Sequence, residues 1–257
     1  MTIKVEAQAL NVMVKAQLAA LLEVSAYPKP GNVHRLRDRW GKRFEHFAAG
    51  SIAIGPAIKE AFTKGYRAWL RGDLSSIKIG KLIEKAIKLQ LQAHSAGNTH
   101  LGVIMLFIPI VASTPMWIAE SKDIFDLGDM VLKVIKATTP DDANALIKGI
   151  KLMKPSGLGR PPKGLPDASK GQRTGLSLYE ILKASSKWDG VAEELTTGLE
   201  MSLSIGLPML IETYEKTRDV NIAIVHCFLK LLSEKPDTFI ARSVGLTISP
   251  YAPIDKA

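Results

Sequence analysis

The chain has 257 residues, 46% hydrophobic and 6% aromatic, with 34 Lys and Arg against 25 Asp and Glu for a formal net charge of +9. That length and apolar content suffice for a sizeable buried core, and the positive excess draws polyanions to some part of the surface. The basic residues are spread along the chain and aromatics are few, which argues against nucleic acid. A lone cysteine, Cys227, excludes an intrachain disulfide or a cysteine-rich zinc site.

In chain order, Leu10, Met13, Val14, Leu18, Leu21 and Leu22 recur at the spacing of one helical face, and this first helix stops before Pro28. A second helical pattern runs through Phe44, Phe47, Ser51, Ile54, Ile58 and Phe62, with a kink expected at Pro56. A third runs Ile79, Leu82, Ile83, Ala86, Leu89 and Ala93, with Ser75 or Ser76 as the capping residue. Leu101 to Ala119 is almost wholly apolar and long enough to suggest a membrane span. Pro109 and Pro115 interrupt it, and the amphipathic helices on either side need an apolar partner, so a buried core helix is expected instead.

Thr139-Pro140-Asp141-Asp142 combines a capping hydroxyl, a proline at the first helical position and two acids that complement the dipole, and predicts a helix to about Met153. Residues 154–175 carry too many glycines and prolines for a helix and read as a basic loop holding Lys154, Arg160, Lys163, Lys170 and Arg173, either a lid or a disordered segment. Helices are expected over 177–187, over 189–215 with a break at Gly206 and Pro208, over 220–234 and over 237–243. No alternating strand pattern is visible. The expected fold is all-α, a multi-helix single domain spanning 1–257 around the buried apolar helix. No secretory core precedes it, and the expected location is cytoplasmic.

Two polar runs interrupt this pattern. Tyr27-Pro28-Lys29-Pro30-Gly31-Asn32-Val33-His34 is a shaped loop, since its prolines fix φ and its glycine permits positive φ. Ser95-Ala96-Gly97-Asn98-Thr99-His100 directly precedes the apolar helix, whose first turn can offer N–H groups to an anion. One N-cap would account for Asn98 or Thr99 but not for the whole cluster. Neither a Walker A motif nor a dinucleotide fingerprint is present: Leu165-Pro166 stands where Gly159 to Gly164 would need lysine and Ser/Thr to follow, and His-Glu-x-x-His is also missing.

These runs carry a resemblance. Pro28-Lys29-Pro30-Gly31 is similar to the PKPG loop of the triphosphoribosyl-dephospho-coenzyme A synthases, and Asn98-Thr99-His100-Leu101-Gly102 resembles their NTHKG segment. Asp237-Thr238 followed by Arg242, and Glu194 with Gly198 leading to Leu207-Pro208, complete four matches in order along residues 18 to 245. The chain departs from the pattern at Leu101, Ala192 and Leu199-Glu200, and the aspartate expected after the PKPG loop has no counterpart, although Glu45-His46 lies in that stretch.

The resemblance implies transfer of a 5-triphosphoribosyl group from ATP to a ribose hydroxyl of dephospho-coenzyme A, or of a related cofactor precursor, with release of adenine. It implies an oxocarbenium-like transition state, a base for the acceptor hydroxyl and Mg²⁺ with the triphosphate. Catalytic candidates are Glu23, Glu45, His100 and Glu194. Substrate-binding candidates are Lys29, Gly31, Asn32, His34, Ser95, Gly97, Asn98, Thr99, Arg160 and Arg242, and metal-holding candidates are Glu45 and Asp237. The expected partners are ATP and a dephospho-coenzyme A-like acceptor, with neither nucleic acid nor membrane and with self-association left open. The alternatives are an all-α nucleotide or polyanion binder without this chemistry, a related transferase with another acceptor, and a helical membrane protein.

Overall fold

Apolar periodicity and capping residues divide the chain into helices α1 (Ile3–Ser25), α2 (Phe44–Ala53), α3 (Gly55–Arg71), α4 (Ile79–Ala93), α5 (Leu101–Glu120), α6 (Asp126–Lys136), α7 (Pro140–Met153), α8 (Leu178–Ser185), α9 (Gly190–Thr197), α10 (Leu207–Thr217) and α11 (Val220–Glu234). The computed structural model describes residues 3–39, 41–121, 123–155, 158, 161–238, 240, 241 and 245. Among these there is no strand, only the two isolated bridges His34 to Arg37 and Arg39 to Lys42. The fold is all-α.

The apolar helix α5 packs along α3 and α6 and also touches α4 and α9. Ile104, Ile108, Val111, Ala112 and Met116 are among its buried residues, and they join Phe62, Ile83, Ile87, Val131 and Ile135 in one core cluster. The α3 and α5 backbones approach so closely that a Cβ on Gly65 would fall on the Ala112 carbonyl. Among the described residues α5 is the one helix long and apolar enough to cross a membrane by length and composition, and its packing on α3 and α6 is that of a core helix.

At Ile54 the chain breaks into two helices instead of kinking at Pro56, which sits in the first turn of α3, where its missing N–H costs nothing. Ser75 and Ser76 do not cap α4. They form a 3-10 turn capped by Asp73, which accepts the Ser75 N–H at 3.1 Å, and Lys78, at φ 59°, leads into α4. The start of α7 is as expected but carries more. Asp142 is buried, accepts the Thr139 N–H at 2.9 Å and takes the Gly80 N–H at 3.0 Å, tying α7 to α4.

The expected break at Gly206 lies instead at Gly198 and Leu199, both left-handed. From Glu200 the chain is helical to Thr217, with a π-helical turn over Ser202–Gly206 that accommodates Pro208. The amphipathic α6 was not anticipated. After α11, Asp237 caps a turn that includes Thr238, Ile240 and Ala241, accepting the Ile240 N–H at 2.9 Å.

Candidate active site

The PKPG loop is anchored before it is functional. Asn221 of α11 clamps Tyr27 with two hydrogen bonds, accepting the Tyr27 N–H at 2.9 Å and donating to its carbonyl at 2.8 Å. Lys29 is 1% exposed and donates to both the side chain and the carbonyl of Glu23, so its ammonium is turned inward at the C-terminal end of α1. Burying such a charge is tolerable only when it is paired, as here. Gly31, at φ 85°, then opens the loop, and its carbonyl accepts from the Arg39 guanidinium. His34 is also buried. Desolvation, with Lys29 and Arg37 nearby, lowers its pKa and favours the neutral ring.

Two tight turns follow. His34 pairs with Arg37 through backbone bonds of 3.1 and 2.9 Å, and Arg39 pairs with Lys42 through bonds of 3.0 and 2.9 Å. These turns swing the Lys42 ammonium onto the Asn98 carbonyl and so join the PKPG loop to the Asn98-Thr99-His100 cluster. Burial lowers the Lys42 pKa. At the cluster, the Asn98 side-chain oxygen accepts the Leu101 N–H at 3.1 Å and caps α5.

Gly31, Asn32, Arg39, Lys42, Asn98, Thr99, Leu101 and Gly102 line a cleft of about 710 Å³. The α5 N-terminus therefore faces the same space as two cations, a favourable surrounding for an anion. The later chain adds acids to the same lining, Asp167, Asp189, Glu194 and Asp237, with Thr238 and Lys235, and Ile240 of the Asp237 turn packs against Gly31.

Three of these four carboxylates are committed. Asp167 binds Ser169 and Lys170, which hold its pKa below the usual carboxylate value, the Ser169 hydroxyl most of all. Asp189 caps α9 by accepting the Ala192 N–H at 3.0 Å. Glu194 spreads its two oxygens over the Met201 and Ser202 N–H groups, at 3.0 Å each. Asp237 uses Oδ1 for the Ile240 N–H, and among the described residues Oδ2 has no partner. Thr238 accepts the Gly190 N–H at 3.1 Å and holds the Asp237 turn against α9.

The basic loop forms a wall of the cleft through Pro155, Leu158, Pro161, Pro162, Leu165 and Pro166, while Lys163, Lys170 and Arg173 face outward. Its end is fixed by Asn144, which exchanges hydrogen bonds of 3.0 Å with the Thr174 backbone in both directions. Met105, Leu106, Ile150, Leu182, Phe228 and Leu231 continue the apolar lining.

Of the residues singled out from sequence, Gly31, Asn32, Asn98, Thr99, Glu194 and Asp237 are brought together around this cleft. Glu23, Lys29 and His34 support the loop from behind it. His100 is 3% exposed, with Nε2 3.0 Å from Ser51 Oγ and Nδ1 2.8 Å from Thr99 Oγ1, and its ring packs on Phe47. The Gly97 carbonyl accepts from the Gln90 amide, and Gly97 and Ser95 are outside the lining. Glu45 is solvent-exposed on α2 beside Arg43. Arg160 and Arg242 lie outside the described residues. Glu45 and Asp237 do not converge, and among the described residues no three His, Cys, Asp or Glu side chains form a metal-holding group.

Sequence reasoning missed Arg39 and Lys42, although the run Arg35, Arg37, Arg39, Lys42, Arg43 directly after the PKPG loop is a dense basic segment that the idea of evenly spread charge obscured. It also missed Asp189, whose place in the cleft depends on the packing of α9.

A family model described as CitG, ATP:dephospho-CoA triphosphoribosyl transferase, matches residues 10–252. Neither the curated proteins nor the solved structures gave a match. The matched span includes the PKPG loop, the α5 N-terminus and the Asp237 turn, which are the three segments that the fold gathers at the cleft, and the chain belongs to the ATP:dephospho-CoA triphosphoribosyl transferase family.

Proposed function

We propose that the transfer of the 5-triphosphoribosyl group from ATP to dephospho-CoA takes place in this cleft, with the triphosphate at its cations and the acceptor hydroxyl at Asp237. The observation that carries this reading is that one cleft holds both kinds of group. Arg39, Lys42 and the α5 N-terminus supply positive potential, and Asp237 offers a carboxylate oxygen that has no partner among the described residues.

In the reaction the acceptor hydroxyl oxygen bonds to the ribose anomeric carbon as the bond from that carbon to adenine N9 breaks. The bonding electron pair leaves with adenine. The hydroxyl proton passes to Asp237 Oδ2, and a proton is returned to the departing base. Positive charge that develops on the ribose is met by the Glu194 and Asp237 carboxylates of the lining. The Asn32 carboxamide lines the cleft and carries neutral N–H donors for adenine. The apolar lane from Pro155 to Leu231 suits the long, uncharged arm of the acceptor.

Mg²⁺ belongs to this reading as a companion of the triphosphate. Among the described residues no three acids form a metal-holding group, and in this reading the ion is held mostly by phosphate oxygens and water with one carboxylate. Lys42 would leave the Asn98 carbonyl for a phosphate oxygen, and its Asn98 contact keeps it poised at the cleft until then.

Adenine release by Asp237→Asn and Lys42→Ala, measured by chromatography with ATP, Mg²⁺ and dephospho-CoA, tests these roles. Asp237→Asn should bind ATP like the parent and lose kcat by about 100-fold or more, the usual size of a general-base contribution. Lys42→Ala should weaken ATP binding by about 1–3 kcal/mol, as for a hydrogen bond to a charged group. Parental turnover by Asp237→Asn would remove Asp237 from the chemistry.

A further inference from the structure

Behind the cleft a chain of hydrogen bonds runs through side chains from four places in the sequence. Ser51 Oγ donates to the Phe47 carbonyl at 2.9 Å and lies 3.0 Å from His100 Nε2. His100 Nδ1 is 2.8 Å from Thr99 Oγ1, which is 3.1 Å from His94 Nε2. His94 Nδ1 accepts the Ala96 N–H at 3.2 Å. The Phe47 carbonyl ends the chain on the Ser51 side and fixes its direction from there.

A serine has one proton. Given to the Phe47 carbonyl, it leaves Ser51 Oγ to accept from His100, so the His100 proton sits on Nε2 and Nδ1 is an acceptor. Thr99 must therefore donate to His100. At the other end donors face both His94 nitrogens, the Ala96 N–H at Nδ1, 3.2 Å away, and the Gln90 amide at Nε2, 3.0 Å away, so the direction of the chain is set from the Ser51 end. The Gln90 amide also donates to the Gly97 carbonyl at 2.8 Å. Burial keeps both rings neutral: the His100 pKa is lowered to about 4, and that of His94 is lowered as well.

Of the four, Thr99 alone lines the cleft. Its hydroxyl proton is spent on His100, and what it can offer the cleft is a lone pair. We propose that Thr99 is a specificity-determining hydrogen-bond acceptor for a ribose hydroxyl of the substrates, not a phosphate contact, with His100, His94 and Ser51 as positioning residues that hold it in that state. A phosphate oxygen accepts and cannot use a lone pair, whereas a sugar hydroxyl donates to one. The packing around the chain supports a kept geometry, since Gly50 leaves room for it: a Cβ there would lie 2.6 Å from His100 Nδ1 and 3.1 Å from Thr99 Oγ1. The proposal rests on the placement of both substrates in the cleft.

Two ribose sources are open, ATP and the acceptor, and calorimetric binding separates them. Affinities are measured for ATP, 2′-deoxy-ATP, 3′-deoxy-ATP and AMP, and for dephospho-CoA and its two monodeoxy forms, on the parent, Thr99→Val, Thr99→Ser and His100→Phe. One deoxy ligand should bind the parent about tenfold more weakly than its full counterpart, the size of one hydrogen bond. That difference should vanish in Thr99→Val, return in Thr99→Ser, and shrink in His100→Phe, where the freed hydroxyl proton can point into the cleft. The ratio of ATP to AMP affinity should stay constant in Thr99→Val.

The proposal is overturned if Thr99→Val changes that ratio, which would make Thr99 a phosphate contact, or if it weakens every ligand alike, which would make it structural. Equal binding of all deoxy forms by the parent also overturns it. If the parent binds neither ATP nor dephospho-CoA, the placement of substrates in the cleft fails first.

Discussion

His100 should make the protein sensitive to acid in a definite window. The ring is 3% exposed and held neutral, with its pKa lowered from 6.5 to about 4, chiefly by burial and secondly by His94. In the unfolded chain the same ring takes a proton below about 6.5. Between these values the unfolded state binds more protons, so stability rises with pH there. The contribution is fully present above about pH 6.5 and is lost as the pH falls toward 4. A shift of that size corresponds to about 3 kcal/mol in total, and about 2 kcal/mol of it should be gone at pH 5.

The assay is urea unfolding of the parent and of His100→Gln between pH 7.5 and 5. His34 and His94 also have lowered pKa values, and they titrate in both proteins, so the difference between the two isolates His100. The advantage of the parent should shrink by about 2 kcal/mol over this range. An advantage that is constant with pH would refute the picture of a buried, neutral His100 and with it the order of protons in the chain to Thr99.

Glu23→Ala should destabilise the fold by about 3 kcal/mol, the low end for stranding a buried charge because Glu23 itself is half in solvent, with a urea midpoint as the measurement. A loss below about 0.5 kcal/mol would mean that Lys29 is free to leave its buried position. Gly50→Ala should lower ATP or acceptor affinity along with stability, because its Cβ would press on His100 and Thr99; unchanged binding in a folded variant would show that this contact is not needed.

The helical architecture was legible where local signals were complete. α1 ends ahead of Pro28, α7 begins where the Thr139 to Asp142 cap requires, and α5 is core because its neighbours are amphipathic. The break at Ile54 was not legible, since Pro56 kinks a helix or starts one with equal ease, and only packing decides. Asn98, Thr99, Glu194 and Asp237 were found because their motifs also shape helix ends, which the fold then turns toward the cleft. Lys29, read from sequence as a substrate contact, is buried, and Lys42, which was not singled out, lines the cleft. Lys29 meets an acid on the preceding helix, which spacing does not reveal, and Lys42 reaches the cleft only through two tight turns.

The most direct test is product analysis of the full chain incubated with ATP, Mg²⁺ and dephospho-CoA. Free adenine should appear in a one-to-one ratio with a product heavier than dephospho-CoA by one triphosphoribosyl group, and only when the acceptor is present. Release of ADP, AMP or inorganic phosphate in place of adenine would contradict the account.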